Sequence, residues 1–244
     1  FMAFNLRYKQ FGERSILIEW PAMIDGNILK DIIQFKDQIH KNNIKEIVEL
    51  KSAYNSLLII YNSICRNFEN DVIFLKKLYK TLKSEHDIMS KRWKIPVCYD
   101  AVFGIDLKAI SKEKNLSISE IIDIHSKAFY TVYFIGFLPG FLYLGGLDEA
   151  IFMPRKRTPR LKVEKGAVAI GENQTGIYPT VSPGGWNIIG NSPVSFFNIN
   201  KEVPCFANPG DQITFQSISI KEYLKIKAQI ENNDYQIESE VIYD

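Results

Sequence analysis

Ten of the 14 glycines and five of the ten prolines of this chain fall between Gly136 and Gly190. That crowding limits what the C-terminal half can become. Glycine tolerates positive φ and close backbone approach, whereas proline fixes φ and removes a donor. Between these breakers run short apolar stretches: Tyr133 to Ile135, Ala167 to Ile170, Trp186 to Ile189, Val194 to Phe197 and Gln212 to Phe215. Short strands at this spacing indicate a sandwich or barrel rather than a parallel sheet.

The first ~90 residues have a different texture, with alternating elements of ordinary length. Phe4 to Tyr8 and Ser15 to Trp20 read as strands joined by the turn at Gly12. Ile47 to Leu50 and Ser56 to Tyr61 read as a second pair. Asn27 to Ile39 and Asp71 to Leu82 carry apolar residues at helical spacing. Two strands, helix, two strands, helix predicts a small sheet with helices on one face. A boundary is expected near Lys91 to Lys94, where the strand Ile95 to Tyr99 opens a second region. There Ser117, with Glu120 three residues on, forms a capping-box signature. The helix behind it presents Ile118, Ile121, Ile122 and His125, and Ile220 to Ile230 reads as a last helix. The expected organisation is residues 1–92, an α+β sandwich; 93–231, a β-sandwich or barrel; and 232–244, a loose polar tail.

Hydrophobic residues make up 46% and charged residues 24%, with a net charge of +2. The charge is too mild to imply nucleic acid. No apolar stretch approaches the ~20 residues a membrane span needs, and no secretion signal is evident. The three cysteines (Cys65, Cys98, Cys205) are far apart, and the three histidines (His40, His86, His125) do not cluster with them. Neither a metal site nor a disulfide framework is expected, and a reducing cytoplasm is the expected location.

Phosphate-loop, nucleophile-elbow, zincin and dinucleotide-binding signatures are absent. Three loop-rich segments remain as candidates. The first, Gly136 to Gly146, is either a docking surface or a tight corner filled by Phe137, Phe141 and Tyr143. The second, Pro154 to Arg160, holds Arg155 and Arg160 between stiff prolines, where guanidinium groups can grip phosphate or carboxylate in two-point fashion. Its alternative is a solvated basic loop. The third runs from Gln174 to Trp186. There Gln174, Thr175, Tyr178 and Ser182 offer neutral hydrogen bonds, Gly184 and Gly185 offer backbone amides for an anion nest, and Trp186 offers a flat wall. The alternative is a hairpin around a buried aromatic. His125 is either a satisfied core histidine or a general base.

Taken together, GFLPGFLYLGGL, PRKRTPR, GENQTGIYPTVSPGGW and IIGNSP resemble one family, that of the 5-oxoprolinase B component. The family also contains a sporulation-kinase inhibitor and proteins labelled allophanate hydrolase subunit 1. The segments around Gly12 to Glu19 and Ile95 to Asp100 share the likeness. The resemblance implies an N-terminal α+β domain followed by a cyclophilin-like β-barrel. It implies two partners, the C and A components of 5-oxoprolinase, with which 5-oxo-L-proline, ATP and water become L-glutamate, ADP and phosphate. ATP is then a co-substrate of the complex. Carried onto this chain, the candidates are His125, Arg160 and Ser182 for catalysis. Arg155, Gln174, Thr175, Tyr178, Gly184, Gly185 and Trp186 are the candidates for substrate or anion binding. Two positions depart from the family pattern: Leu142 stands where proline is common, and Asn191 where arginine is common. The second departure is expected to remove a charge from the anion site. Other functions in view are inhibition of a histidine kinase through the glycine-rich loop, and a part in urea or allophanate metabolism. Prolyl isomerisation would follow from fold likeness alone.

Overall fold

The computed structural model describes residues 4–63, 67–82 and 89–243, so Cys65 and His86 lie outside the described residues. The chain separates into two compact units, Phe1–Ile88 and Met89–Asp244.

The first unit runs β1 (Arg7–Gln10), β2 (Ser15–Glu19), α1 (Gly26–Lys41), β3 (Ile47–Ser52), β4 (Ser56–Tyr61) and α2 (Phe68–Lys80). Its sheet has the order β1-β2-β4-β3, antiparallel throughout. Side chains alternate across a strand, so Ile16 and Ile18 of β2 and Leu57 and Ile59 of β4 share one face. That face meets Ile28, Ile32, Phe35 and Ile39 of α1 and Leu75, Leu78 and Tyr79 of α2. The Asp25 carboxylate caps α1 by accepting from the Asn27 and Ile28 amides. One polar residue, Asp31, lies on the buried stripe of α1.

The second unit opens with β5 (Met89–Val97), α3 (Leu107–Lys114), α4 (Ile118–Lys127), β6 (Tyr130–Ile135) and β7 (Leu142–Gly145). It continues with β8 (Arg160–Val163), β9 (Ala167–Gly171), β10 (Gln174–Ile177), β11 (Ser182–Gly184) and β12 (Asn187–Asn191). It ends with β13 (Gln212–Ser217), α5 (Ile220–Glu231) and β14 (Ser239–Tyr243). Eight strands form one sheet in the order β12-β9-β10-β7-β6-β13-β5-β14, while β8 and β11 make a separate ribbon. The pair β5–β13 is parallel. The capping box at Ser117 and Glu120 is complete in both directions, which anchors the start of α4.

Several expectations need correction. Among the described residues no continuous ladder closes this sheet into a barrel. Instead a single bridge joins Cys98, just beyond β5, to Asn191 at the end of β12, with N–H to O distances of 2.9 and 3.0 Å. The boundary expected near Lys91 to Lys94 falls inside β5. Arg92 and Lys94 alternate with buried Trp93 and Ile95, so the segment is a strand with one wet face. The tail beyond Asn232 is not loose throughout: β14 pairs with β5 from Ser239 to Tyr243. Backbone hydrogen bonds and the ion pairs Arg92–Glu240 and Lys94–Glu238 hold it, and hydropathy patterning does not register these. Val194 to Phe197 forms no strand. Val194 and Phe196 are buried in the main core, but as a loop.

Strand β9 is buried along its whole length, because both of its faces are covered. Val168 and Ile170 join the main core with Ile95, Val97, Leu144, Ile177 and Ile189. Ala167 and Ala169 point the other way, into a second cluster containing Phe141, Tyr178, Trp186 and Ile188. That second cluster carries the candidate site.

Candidate functional site

Trp186 organises the second cluster. Its indole lies against Gly171, where an added Cβ would stand 2.5 Å from the ring, and against Gly176, where it would stand 3.1 Å away. Phe141 meets Trp186 edge-on at 5.6 Å and Tyr178 at 5.5 Å. The glycine-rich segment is thus largely a packed hairpin corner. Gly140, at φ +83°, brings its backbone so close to the Phe196 carbonyl that a Cβ would come within 2.8 Å of the oxygen. Phe137 is the exception, at positive φ and 63% exposed at the tip.

The basic segment is tied down by a residue that sequence reasoning missed. Asp106, just before α3, is buried; its Oδ1 accepts from Arg160 at 2.7 Å and Lys156 at 2.9 Å. Its Oδ2 accepts from the Ile188 amide at 2.7 Å. Burial pushes the Asp106 carboxyl upward, but the hydrogen bonds from Arg160, Lys156 and the Ile188 amide outweigh it and hold the group below its usual range. Arg160 also lies 3.5 Å from the Trp186 carbonyl oxygen. Arg160, expected to face a ligand, is ion-paired with Asp106 and 27% exposed. Nothing in the local sequence around Asp106 marks it, since its partners lie 50 and more residues away.

Arg155 is different. Among the described residues its guanidinium has no ion-pair partner. A Cβ added to Gly185 would stand 3.8 Å from Arg155 Nε. Arg155 and Arg160 both act on Tyr178, whose hydroxyl lies where a Cβ on Gly184 would come to 2.4 Å. Burial raises the Tyr178 pKa, and the opposing influence of the Trp186 backbone and of the two arginines does not cancel that rise. The phenol keeps its proton, and Tyr178 is only 2% exposed.

The remaining candidates separate. Ser182 to Gly184 is strand β11, paired with β8 at Ser182–Val163 and Gly184–Arg160. The amide nest expected there does not form, because the segment is a ladder strand and Pro183 has no N–H. The Ser182 hydroxyl is buried and turned to the Pro183 carbonyl at 3.2 Å. Gly185 accepts from the Lys156 amide at 2.7 Å. Gln174 opens β10 opposite Gly171 and so borders the Trp186 cluster. Thr175, one residue on, faces the opposite side, in the main core.

There Thr175 meets His125. His125 is fully buried and stacked on Phe215 at 4.6 Å, with Tyr99 on Nδ1 and Thr175 on Nε2, each at 2.8 Å. Thr175 Oγ donates to the Ala169 carbonyl at 3.1 Å, so it must accept from His125. The ring is therefore the Nε2–H tautomer, with Tyr99 donating to Nδ1. Burial pulls the His125 pKa down to about 3. A neutral, saturated, water-excluded imidazole cannot serve as the general base proposed from sequence. Asn191 also lies off the anion site. Its amide donates to the Lys165 carbonyl and accepts from the Tyr223 hydroxyl, each at 2.9 Å, which stabilises the Cys98 bridge. The departure at Leu142 is absorbed too, as that side chain is buried in the main core on β7.

The region 6–207 matches the family described as carboxyltransferase domain, subdomain C and D, and the chain belongs to that family. Within it the chain is similar to the B component of 5-oxoprolinase, as its motifs led us to expect. It is 31% identical over 238 residues to that protein of Bacillus subtilis (strain 168), covering 93% of this chain and 99% of the relative. It is 40% identical over 204 residues to that of Haemophilus influenzae, covering 84% of this chain and 94% of the relative. Among solved structures, Kluyveromyces lactis urea carboxylase superposes with a TM-score of 0.81 at 20% identity, over 99% of this chain and 24% of that one. That likeness concerns the fold.

Proposed function

We propose that this chain is the B component of an ATP-dependent 5-oxoprolinase, acting with the C and A components to convert 5-oxo-L-proline to L-glutamate. The observation that carries this proposal is similarity to the 5-oxoprolinase B component over nearly the whole of both chains. The curled sheet of the second unit corresponds, in this proposal, to the cyclophilin-like domain of the family.

The chemistry suits the residues at Trp186. A five-membered lactam is a stabilised amide, so its carbonyl must be activated before water can open the ring. Transfer of the terminal phosphoryl group of ATP to the carbonyl oxygen supplies that activation and leaves ADP. Attack of water at the carbonyl carbon, cleavage of the C–N bond and loss of phosphate then give glutamate. Negative charge grows on oxygen in both stages and calls for preorganised donors. Arg155 and the Tyr178 hydroxyl supply them here, Trp186 and Phe141 keep the surroundings dry, and the Asp106–Arg160 pair holds the basic segment in place.

The test is reconstitution with the C and A components and measurement of ATP-dependent glutamate release. Arg155→Ala should lower turnover about tenfold, or ~1.4 kcal/mol of transition-state stabilisation. Absence of glutamate release from the complete complex would reject the proposal. A kinase-inhibitor role has one feature in its favour, the 63% exposed Phe137 at the hairpin tip. Inhibition of a histidine kinase by this chain alone, abolished by Phe137→Ser, would favour that role instead.

A further inference from the structure

Lys156 has no part in the scheme above, yet its setting is unusual. Asp106 Oδ1 already accepts from Arg160 at 2.7 Å and Oδ2 from the Ile188 amide at 2.7 Å. Those two donors alone satisfy both carboxylate oxygens. Lys156 is a second cation on the same Oδ1, at 2.9 Å, and its side chain is 27% exposed. Its backbone is fixed by the 2.7 Å bond from its N–H to the Gly185 carbonyl, while four methylenes leave the ammonium free to swing. Charge does not balance locally. Arg155, Lys156 and Arg160 face Asp106 and Glu172, whose Oε1 lies 3.4 Å from the Arg155 amide, and neighbouring Arg157 is exposed. A net positive excess remains close to Tyr178, on which Arg155 and Arg160 both act.

We infer that Lys156 is a reserve cation, held by Asp106 until a phosphoryl group enters, and that it then moves onto the phosphoryl oxygens beside Arg155 and Tyr178. The exchange leaves no buried group stranded, because Arg160 and the Ile188 amide keep Asp106 satisfied. A phosphoryl dianion can engage a guanidinium fork, a phenol and an ammonium together, having three terminal oxygens to share among them. A carboxylate has two oxygens and one charge, which makes it the poorer match. The assignment deepens the proposed function by naming the ligand class of the same site and one more residue that binds it. Which reaction uses the site rests on that proposal, whereas the binding itself does not.

The experiment is calorimetric titration of the full chain with inorganic phosphate, with pyrophosphate and, as the singly charged control, with acetate. Wild-type protein should bind both phosphates and bind acetate at least about tenfold more weakly. Lys156→Gln should weaken pyrophosphate about tenfold, and Lys156→Arg should restore most of the loss. Asp106→Asn is the decisive variant. Its one remaining acceptor oxygen serves Arg160, and the new NH2 group gives up the bond from the Ile188 amide. The neutral side chain frees Lys156 of its competitor, so phosphate should bind more tightly; a purely structural Asp106 would instead weaken binding when altered. Arg157→Gln removes the same charge from the neighbouring exposed position and should change affinity less than about twofold. No phosphate binding by the wild type would overturn the inference. So would an unchanged affinity in Lys156→Gln, a loss as large in Arg157→Gln, or weaker binding in a folded Asp106→Asn. Should these titrations behave as stated while the reconstituted complex releases no glutamate, the functional proposal fails and the phosphoryl site stands.

Discussion

Asp31 in the first unit and Asp106 in the second are both buried, at 3% and 5% exposure, yet they are held in opposite ways. Asp31 Oδ2 accepts from two neutral donors, Trp20 Nε1 at 2.6 Å and the Tyr79 hydroxyl at 2.7 Å. Its Oδ1 is buried with no partner, as is the nearby Tyr8 hydroxyl. Burial therefore wins, and the Asp31 pKa is raised although Tyr79 and Trp20 pull it down. Asp106 has two cations and a backbone amide, and its pKa is lowered despite burial. Burial alone does not decide whether a carboxyl is ionised; the charge of its partners does. The first arrangement resembles a core polar group that ties two helices and a strand together. The second is an ion-paired carboxylate that ties Arg160 and Lys156 to the loop before Ile188.

The comparison can be broken most forcefully at Asp106. Asp106→Ala leaves Arg160 and Lys156 facing each other without a counter-charge, and denaturant unfolding should show a loss of about 3 kcal/mol. Asp106→Asn should cost clearly less. A loss under ~1 kcal/mol for the alanine variant would mean that the cations simply turn to solvent.

His125 sharpens the comparison, being a buried titratable ring whose partners among the described residues, Tyr99 and Thr175, are uncharged. Its folded pKa, about 3, lies below the unfolded value of 6.5. The stability it supports is complete above pH 6.5 and is lost as pH falls from there toward 3, because the unfolded chain takes up the proton first. Between pH 6.5 and 4.5 stability should drop by roughly 2 kcal/mol from this residue. His125→Gln should flatten that slope, read from unfolding curves collected across the pH series.

Asp31→Asn is the gentler probe. The amide keeps an acceptor for Trp20 and Tyr79 and removes the buried charge, so stability at pH 7 should rise by about 1 kcal/mol. Because the Asp31 pKa is raised in the folded state, wild-type protein recovers ground as pH falls through that pKa, and the gap should close in acid. A variant less stable than wild type at pH 7 would show that the ionised form is favoured after all. Smallest of all should be Lys127→Ala, which removes an exposed pair with Asp123 and should shift stability by less than ~0.5 kcal/mol.

Much of the fold was legible because it follows local periodicity. The alternation of Ile16, Ile18, Leu57 and Ile59 and the helical stripes of α1 and α2 are written in nearest-neighbour spacing. So is the Ser117–Glu120 capping box. Strands β7, β8, β10 and β11 were hidden, since glycine and proline punctuate them and their pairing replaces any apolar alternation. The same holds for β14, whose partner β5 lies far away in sequence.

At the site, the sequence by itself determined which residue types gather: arginines between prolines, a Tyr and a Trp among glycines, and motifs that mark the family. Only the tertiary structure decided which of them are free. Arg155 and Arg160 are equivalent in the motif, but only Arg160 is met by Asp106, 54 residues away. Thr175 and Gln174 are adjacent, yet strand alternation sends one to a histidine in the core and the other toward Trp186. A charge is available for chemistry only when nothing else neutralises it, and that depends on distant chain segments brought within a few ångströms.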